Sequence, residues 1–467
     1  MSSQLTATPR DIPLQNLYQL LQPITSSKAS FNNWGQSFYC APLAIFEPEN
    51  EFQCELILEL ARREGKSVKA AGVGHSPSDL ACTNEYMLRT TKLNRLLEVN
   101  VEKHYVVAQG GVYNLAMTNV GSISDQTLAG IITTATHGSG IEYGVISTHV
   151  IGLTLLLANG TRVFCSRNER PDLFIATICG LGATGLILSI QLEVEPAFRL
   201  KEIQESMSFD DFIHRFDKLV YSAQHVRFWW FPASDTVRCS YSDRSKEPKN
   251  PVGGWWWHTF LGYHVTQLFL FIARYFLFLN TWISHYTCWL IKKQTVGVDD
   301  SHRIFNVDCR YPQHTTEWAI PFEEAQCCLS ELRNWLEKES EDPNGIRPHV
   351  PVEIRFSAPD NIWLSPSYGQ RTCWIGIVQY KPYGFNVPYR RYFSGYESIV
   401  ARHRGRPHWA KAHYLQPDQL RELYPHFDDF RRVIEAVDPK GLFRNEYIQR
   451  HIFGLPVSGR IFRLRQL

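Results

Sequence analysis

The chain lacks an excess of charge of either sign. Its 48 Lys and Arg stand against 46 Asp and Glu, a formal net charge of +2 over 467 residues. Nothing in that balance recruits nucleic acid, so no nucleic-acid partner is expected. Paired cysteine spacing is also absent. Eleven cysteines are scattered with no CxxC and no His/Cys metal pattern, which excludes a zinc module on sequence grounds and predicts no metal. Met1 to Pro23 is polar and has no charged-then-apolar leader, so no cleaved secretory signal is expected and the thiols should be reduced and mostly buried. Arg10 is the only basic residue before Lys28, which argues against an Arg-rich presequence, and Arg463-Leu464-Arg465-Gln466-Leu467 is not an SKL-type address. Finally, no GxGxxG opens a helix directly after a strand, so the dinucleotide fingerprint of a Rossmann fold is missing.

What is present is glycine, in four clusters. The first is Ala71-Gly72-Val73-Gly74-His75-Ser76-Pro77-Ser78-Asp79, after an apolar stretch at Ser67 to Ala70. Glycine lets a turn form tightly and a ligand approach the backbone, and successive exposed N–H groups suit phosphate oxygens. The others are Gly121-Ser122-Ile123-Ser124 with Ala129-Gly130, Ala135-Thr136-His137-Gly138-Ser139-Gly140, and Gly180 to Leu186. Four such loops in one segment point to an extended, phosphate-bearing cofactor. A chain of this length holds two substantial domains.

Around these turns the patterning is mixed. Ala41 to Phe46 reads as a strand, and Glu47-Pro48-Glu49-Asn50 as the start of a helix with Phe52, Leu56, Ile57, Leu60 and Ala61 on its apolar face, ended by Gly65. Val106 to Gln109 reads as a strand, His149 to Val163 as a hairpin turned at Asn159-Gly160, Pro171 to Cys179 as a helix and Leu186 to Leu192 as a strand. Further on, Phe209 to Val220 has a helical apolar stripe. Val226 to Phe231 and Thr236 to Tyr241 read as strands, and Ala325 to Leu336 as an amphipathic helix. Val350 to Phe356 alternates, so Glu353 and Arg355 share one face of a strand. A basic loop leads to His408-Trp409-Ala410-Lys411, and Asp438 to Tyr447 follows.

The His75 turn, the His137-Gly138-Ser139-Gly140 turn, His408-Trp409-Ala410-Lys411 and the segment Asp438-Pro439-Lys440-Gly441-Leu442-Phe443-Arg444-Asn445-Glu446-Tyr447 together resemble the aldonolactone oxidases of the vanillyl-alcohol oxidase, or FAD-linked oxidase, family. Within it, the fungal D-arabinono-1,4-lactone oxidase group is the most similar, and the resemblance runs from about Asn33 to Ile452. It implies an α+β fold of two domains. These are a PCMH-type FAD-binding domain over residues 33–196 and a cap, or substrate, domain over residues 197–455. It implies FAD bonded through its 8α carbon to His75. The cofactor would also be contacted by Gly72, Val73, Gly74, Ser76, Gly121, Ser122, Ser124, Thr136, His137, Gly138, Gly140, Gly185, Ile187 and Asn445. Glu353 and Arg355 would position the lactone, and His408 and Lys411 would handle a proton or stabilise charge.

The implied reaction is oxidation of an aldono-1,4-lactone, D-arabinono-1,4-lactone first, by oxygen to an ascorbate-type product and hydrogen peroxide. L-Gulono- or L-galactono-1,4-lactone, another electron acceptor, and an inactive flavoprotein remain as alternatives. Gly121 stands where poorly oxygen-reactive relatives have alanine, which favours an oxidase. One departure stands out. In relatives a helix follows the strand ending at Gly110-Gly111, whereas here only Val112, Tyr113 and Asn114 precede Leu115, so about one helix is missing. Its loss would uncover part of a sheet or core.

The stretch Trp255 to Ile291 has Arg274 as its one formally charged residue and carries nine Trp and Phe side chains between Trp255 and Trp282. Three readings stand open: an aromatic helical pair packed on the cap, a segment lying in a membrane interface, and a spanning helix, which His258, Tyr263, His264, Thr266 and Gln267 dilute. By resemblance the protein is expected at a membrane, with the mitochondrial outer membrane as its location.

Overall fold

The computed structural model describes residues 8–113, 119–306 and 310–456. The readings of the first seven residues, of 114–118 after the apparent deletion, of 307–309 and of Arg463–Leu467 lie outside the described residues.

The first half builds two sheets. Strands Ala44–Phe46, Tyr86–Arg89 and Val68–Ala71 lie side by side in parallel, and helix Glu51–Glu64 makes the crossover between the first and last of them. The helix starts one residue after the expected acidic run. The Asn50 side chain accepts the Gln53 N–H and caps it. Gly65 ends it with φ 64, a left-handed conformation that suits glycine. Its buried arc is Cys54, Ile57, Leu58 and Ala61 with Leu56 and Leu60. Phe52, expected on that face, is exposed because the arc centres away from it. An antiparallel five-stranded sheet follows in the order Leu96–Asn100, Tyr105–Gln109, Leu186–Glu193, Val150–Leu156, Arg162–Ser166. Its edge strand exposes Leu96, Leu97 and Val99. Beyond Gly111, Val112 O accepts the Leu128 N–H and Tyr113 bridges Thr127.

The second half is one antiparallel sheet of eight strands. Their order is Thr295–Asp300, Arg199–Ser208, Thr236–Ser245, His225–Phe231, Val352–Ser357, Thr372–Tyr380, Gln313–Pro321, Arg406–Pro407. One face is apolar, with Phe228, Trp230, Val237, Ile354, Phe356 and Ile375 buried against helices Ala325–Glu341 and Arg390–Arg402. The stripe at Phe209 to Val220 is two short helices, Phe209–His214 and Phe216–Val220, that meet at Arg215. The other face is polar and looks toward the first half. The chain's end returns there too: Phe427, Phe430, Ile434, Tyr447 and Ile448, from helices Phe427–Val437 and Glu446–His451, share a core with the five-stranded sheet and with Trp374 and Trp409. The architecture is thus α+β, with helices on one face of the large sheet and a mixed α+β unit on the other.

The aromatic stretch folds as a π-helical run Trp255–Val265, a helix Thr266–Ala273 and a helix Leu279–Leu290. The pair packs on the cap through Leu270, Ala273 and Ile283 around Tyr311. No helix of the described residues is long and apolar enough to cross a membrane. Trp255, Trp256, Trp257, Phe276, Phe278, Trp282 and Trp289 are all exposed, Trp282 at 71%.

Candidate active site

Strand Val68–Ala71 runs into the turn at Gly72–Ser76, which forms only with glycine. A Cβ on Gly72 would lie 2.2 Å from Thr127 Oγ1, and Gly74 sits at φ +80 against the Phe31 ring. The turn walls a cleft of about 120 Å³. Of the residues expected at the cofactor, Gly72, Val73, Gly74, His75, Ser76, Gly185 and Ile187 meet in this cleft, together with Gly130, Gly182 and Ala410. The His75 ring stacks on Trp34 with centroids 5.3 Å apart. Burial holds its pKa below the ordinary histidine value, and its buried Nδ1 has no hydrogen-bond partner. Lys69, fully buried beside the cleft, donates to Leu181 O at 2.6 Å, and burial pushes its pKa down to about 7. A glycine-walled cleft, an orphaned imidazole nitrogen and a buried amine fit a flavin with its phosphates.

The polar face of the eight-stranded sheet forms a second wall of functional side chains, separate from the lining of that cleft. Pairing aligns Arg238, Trp229, Glu353, Gly376 and Glu317 in one row across five strands. The next row holds Ser240, Arg227, Arg355 and Trp374, with Arg227 one register position beyond Phe228 and Arg355 one beyond Ile354. Gly376 leaves the space between Glu353 and Glu317 open.

Glu317 lies at the centre of this wall. Its Oε1 accepts from Arg355 Nη2 at 2.6 Å and lies 3.2 Å from His137 Nε2, and its Oε2 lies 3.7 Å from Lys411 Nζ. Burial opposes its ionisation, but Arg355, then His137 and Lys411, outweigh burial and hold its pKa well below the usual carboxylate range. Arg355 also donates through Nη1 to Ser122 Oγ at 2.9 Å, and its Nε lies 3.7 Å from Glu353 Oε2. His137 stacks on Trp374 at 3.7 Å. Burial, then the charge of Arg355, lowers its pKa, so the neutral ring has one N–H to share between Glu317 and the Gly138 carbonyl. His408 is neutral for the same first reason, burial. Its Nδ1 accepts the Ala410 N–H at 3.1 Å, which leaves its proton on Nε2. His137, Glu317 and His408 bring potential metal ligands together, but the two cations already on Glu317 oppose a third.

Other expected residues sit elsewhere. Gly138 packs on Asn119, whose Oδ1 would be 2.0 Å from a Cβ there and which accepts the Ser139 N–H. Gly140 donates its N–H to Phe356 O, tying its loop to the large sheet. Gly121 abuts the Thr136 methyl, and Ser124 is part-exposed. The Asn445 amide donates to Leu80 O and Cys82 O, and its Oδ1 caps helix Glu446–His451, so it braces the segment after the His75 turn. Sequence reading missed Glu317, Trp374 and Arg227. Each is one member of an alternating strand, and an acid directly before the apolar run Trp318-Ala319-Ile320 was the only sign of Glu317.

An FAD binding domain model matches residues 42–166, and a model described as D-arabinono-1,4-lactone oxidase matches residues 190–451, more than half of the chain. The chain belongs to the D-arabinono-1,4-lactone oxidase family. It is similar to the L-gulonolactone oxidase of Scyliorhinus torazame, 37% identical over 91% of this chain and 98% of that one. It is also similar to a putative D-arabinono-1,4-lactone oxidase of Neurospora crassa, 29% identical over 93% of this chain and 88% of that one. Among solved structures, a solvent-stable cholesterol oxidase superposes with a TM-score of 0.74 at 18% identity, covering 92% of this chain and 98% of the other, and shares the fold. The membership makes this a flavin-dependent aldonolactone oxidoreductase family protein.

Proposed function

We propose that the protein oxidises an aldono-1,4-lactone at the carbon bearing the 2-hydroxyl, with FAD in the Gly72–Ser76 cleft bonded to His75 and oxygen as the final acceptor. FAD, when bound, supplies the two-electron acceptor, and the chain supplies position and electrostatics. The observation that carries the reading is the chain of contacts Ser122–Arg355–Glu317–Lys411, which fixes a guanidinium and an ammonium on the polar face of the large sheet, with Lys411 near enough to His75 for its charge to join burial in lowering the His75 pKa. These cations stabilise the oxyanion that develops as the 2-hydroxyl loses its proton. Glu353 is the carboxylate left to accept that proton. Glu317 is held by three partners, and His408 presents an N–H. Loss of the hydride and the proton leaves a 2-keto lactone, which tautomerises to an ascorbate-type ene-diol.

Higher identity to a protein named L-gulonolactone oxidase supports L-gulono-1,4-lactone as substrate, and the family model supports D-arabinono-1,4-lactone. Gly121, with no methyl beside Thr136, supports oxygen as acceptor. The exposed row Trp255, Trp256, Trp257, Phe278 and Trp282 supports contact of the helical pair with a lipid surface. Purified flavin-loaded protein given either lactone in air is expected to release one peroxide per lactone consumed. Turnover only with an artificial acceptor would make it a dehydrogenase, and no turnover of either lactone would sink the lactone reading.

A further inference from the structure

The helical pair of the aromatic stretch does not close completely on the cap. Between helix Thr266–Ala273 with the turn after it and the start of helix Arg390–Arg402 lies a cavity of about 520 Å³, within the range of about 300–1,000 Å³ usual for small-molecule sites. Asn280, from the second helix of the pair, donates to Arg347 O at 3.0 Å and ties the pair to the opposite wall.

The lining carries charge of one sign. Arg274, Arg347, Arg390 and Arg391 border the cavity, and no carboxylate does among the described residues. Arg391 is paired with Glu339 at 2.8 Å, whereas the other three have no carboxylate partner among the described residues. Arg274 is the one formal charge of the aromatic stretch. Its Nε donates to Asn386 O at 3.0 Å, which leaves the N–H groups of its two terminal nitrogens available. Arg347 is occupied with the carbonyls of Glu339, Ser340 and Asp342 and contributes charge. Arg390 is exposed and begins its helix, whose N-terminus no side chain caps. The first N–H groups of a helix have no partner within it and carry partial positive charge.

Two buried side chains border the same space. His349 is 6% exposed, and its Nε2 accepts the Tyr380 N–H at 3.0 Å. Burial pushes its pKa down to about 3, so the ring is neutral and its single proton is on Nδ1. Neither that N–H nor the amide of Gln379, 5% exposed, has a hydrogen-bond partner among the described residues. Buried polar groups left unpaired cost free energy that the oxygens of a ligand relieve. Unpaired guanidinium groups, an uncapped helix N-terminus and two idle donors suit an anion with several acceptor oxygens, such as a phosphate ester. The rim favours a phosphate that carries acyl chains. Tyr275 and Leu277 line the cavity and are exposed, and Phe276 and Phe278 beside them are exposed too. Such a rim offers nothing to a soluble phosphate but lies well in the acyl boundary of a bilayer.

We propose that this cavity binds the headgroup phosphate of an anionic phospholipid, held by Arg274, Arg390 and the first N–H groups of helix Arg390–Arg402, with His349 Nδ1 and the Gln379 amide meeting headgroup oxygens at the buried end. The inference rests on the lipid contact proposed above and gives that contact a lipid preference.

The test measures binding of the flavin-loaded full chain to vesicles of phosphatidylcholine alone and of phosphatidylcholine mixed with phosphatidylglycerol, at one ionic strength. Wild type is expected to prefer the anionic vesicles. Arg274→Gln with Arg390→Gln is expected to lower that preference by about 10-fold or more, since each removes a charged hydrogen-bond donor. Gln379→Leu leaves the charge unchanged and is expected to lower it by a smaller factor. Arg390→Gln alone, at an exposed position, carries the charge test if the double variant does not fold. Lys292→Gln with Lys293→Gln removes the same charge from the exposed end of the helical pair, outside the cavity, and is expected to keep the preference. A preference lost equally in the lysine and arginine pairs and untouched in Gln379→Leu would reduce the site to diffuse surface charge and overturn it. Equal binding of wild type to both vesicles would overturn the headgroup site and leave the lipid contact standing. Binding to neither would overturn both. Tight binding of glycerol 3-phosphate in solution, without preference for anionic vesicles, would give the cavity to a soluble phosphate ester and overturn the lipid assignment.

Discussion

Arg355 and Glu317 meet at 2.6 Å although their strands are not neighbours: strand Thr372–Tyr380 lies between them, with Trp374 opposite Arg355 and Gly376 opposite Glu317. Both are buried, and each neutralises the other where water cannot. Changing Glu317→Gln leaves Arg355 and Lys411 without their shared countercharge. Breaking a buried pair from one side costs about 3–5 kcal/mol, and loss of transition-state charge positioning lowers turnover by about 100-fold or more. Thermal unfolding and kcat at matched flavin content measure both. An unchanged kcat would remove Glu317 from the site.

The orphaned Nδ1 of His75 in the glycine-walled cleft leads to a covalent-bond prediction. Acid-precipitated wild-type protein is expected to carry flavin fluorescence into the protein band of a denaturing gel, and His75→Ala to lose it. Fluorescence retained in the variant would move the attachment elsewhere.

Acid is expected to destabilise the fold from the histidines inward. Burial lowers His225 and His451 to about 4 and His349 to about 3. In the unfolded chain each titrates near about 6.5. Below that value the unfolded chain takes up protons that the folded chain refuses. Stability is therefore full above about pH 6.5 and falls as pH drops toward about 4, by about 1.4 kcal/mol per pH unit for each histidine. The Glu317 contribution has the same sign, because its depressed pKa means a loss as pH falls through the folded value. Unfolding temperatures between pH 8 and pH 5 check this, and a flat profile contradicts it.

A Cβ on Gly121 would sit 3.0 Å from the Thr136 methyl. Gly121→Ala is expected to slow peroxide release more than it slows lactone oxidation by an artificial acceptor. Equal effects on both would separate Gly121 from oxygen access.

Trp255, Trp256 and Trp257 stand exposed at the start of the aromatic stretch. Wild-type protein is expected to float with phospholipid vesicles, and the variant with all three changed to serine to remain behind while it still oxidises lactone. If the wild type also remains in the aqueous fraction, the lipid contact is wrong.

The sequence by itself determined what depends on neighbours along the chain. The Gly65 stop, the hairpin at Asn159-Gly160, the His75 turn and the strand that puts Glu353 and Arg355 on one face all follow from local conformational preference and period-two alternation, and all are in the structure. The tertiary structure decided what lies opposite what. Alternation says which residues share a face of a strand, but the order of eight strands is set by packing of the whole sheet, so the alignment of Arg227, Arg355 and Trp374, and of Glu353 and Glu317 across Gly376, was not legible. Asn445, expected at the cofactor, serves as a cap and brace for the same reason. A local pattern names a residue's chemistry, and only the fold supplies its partner.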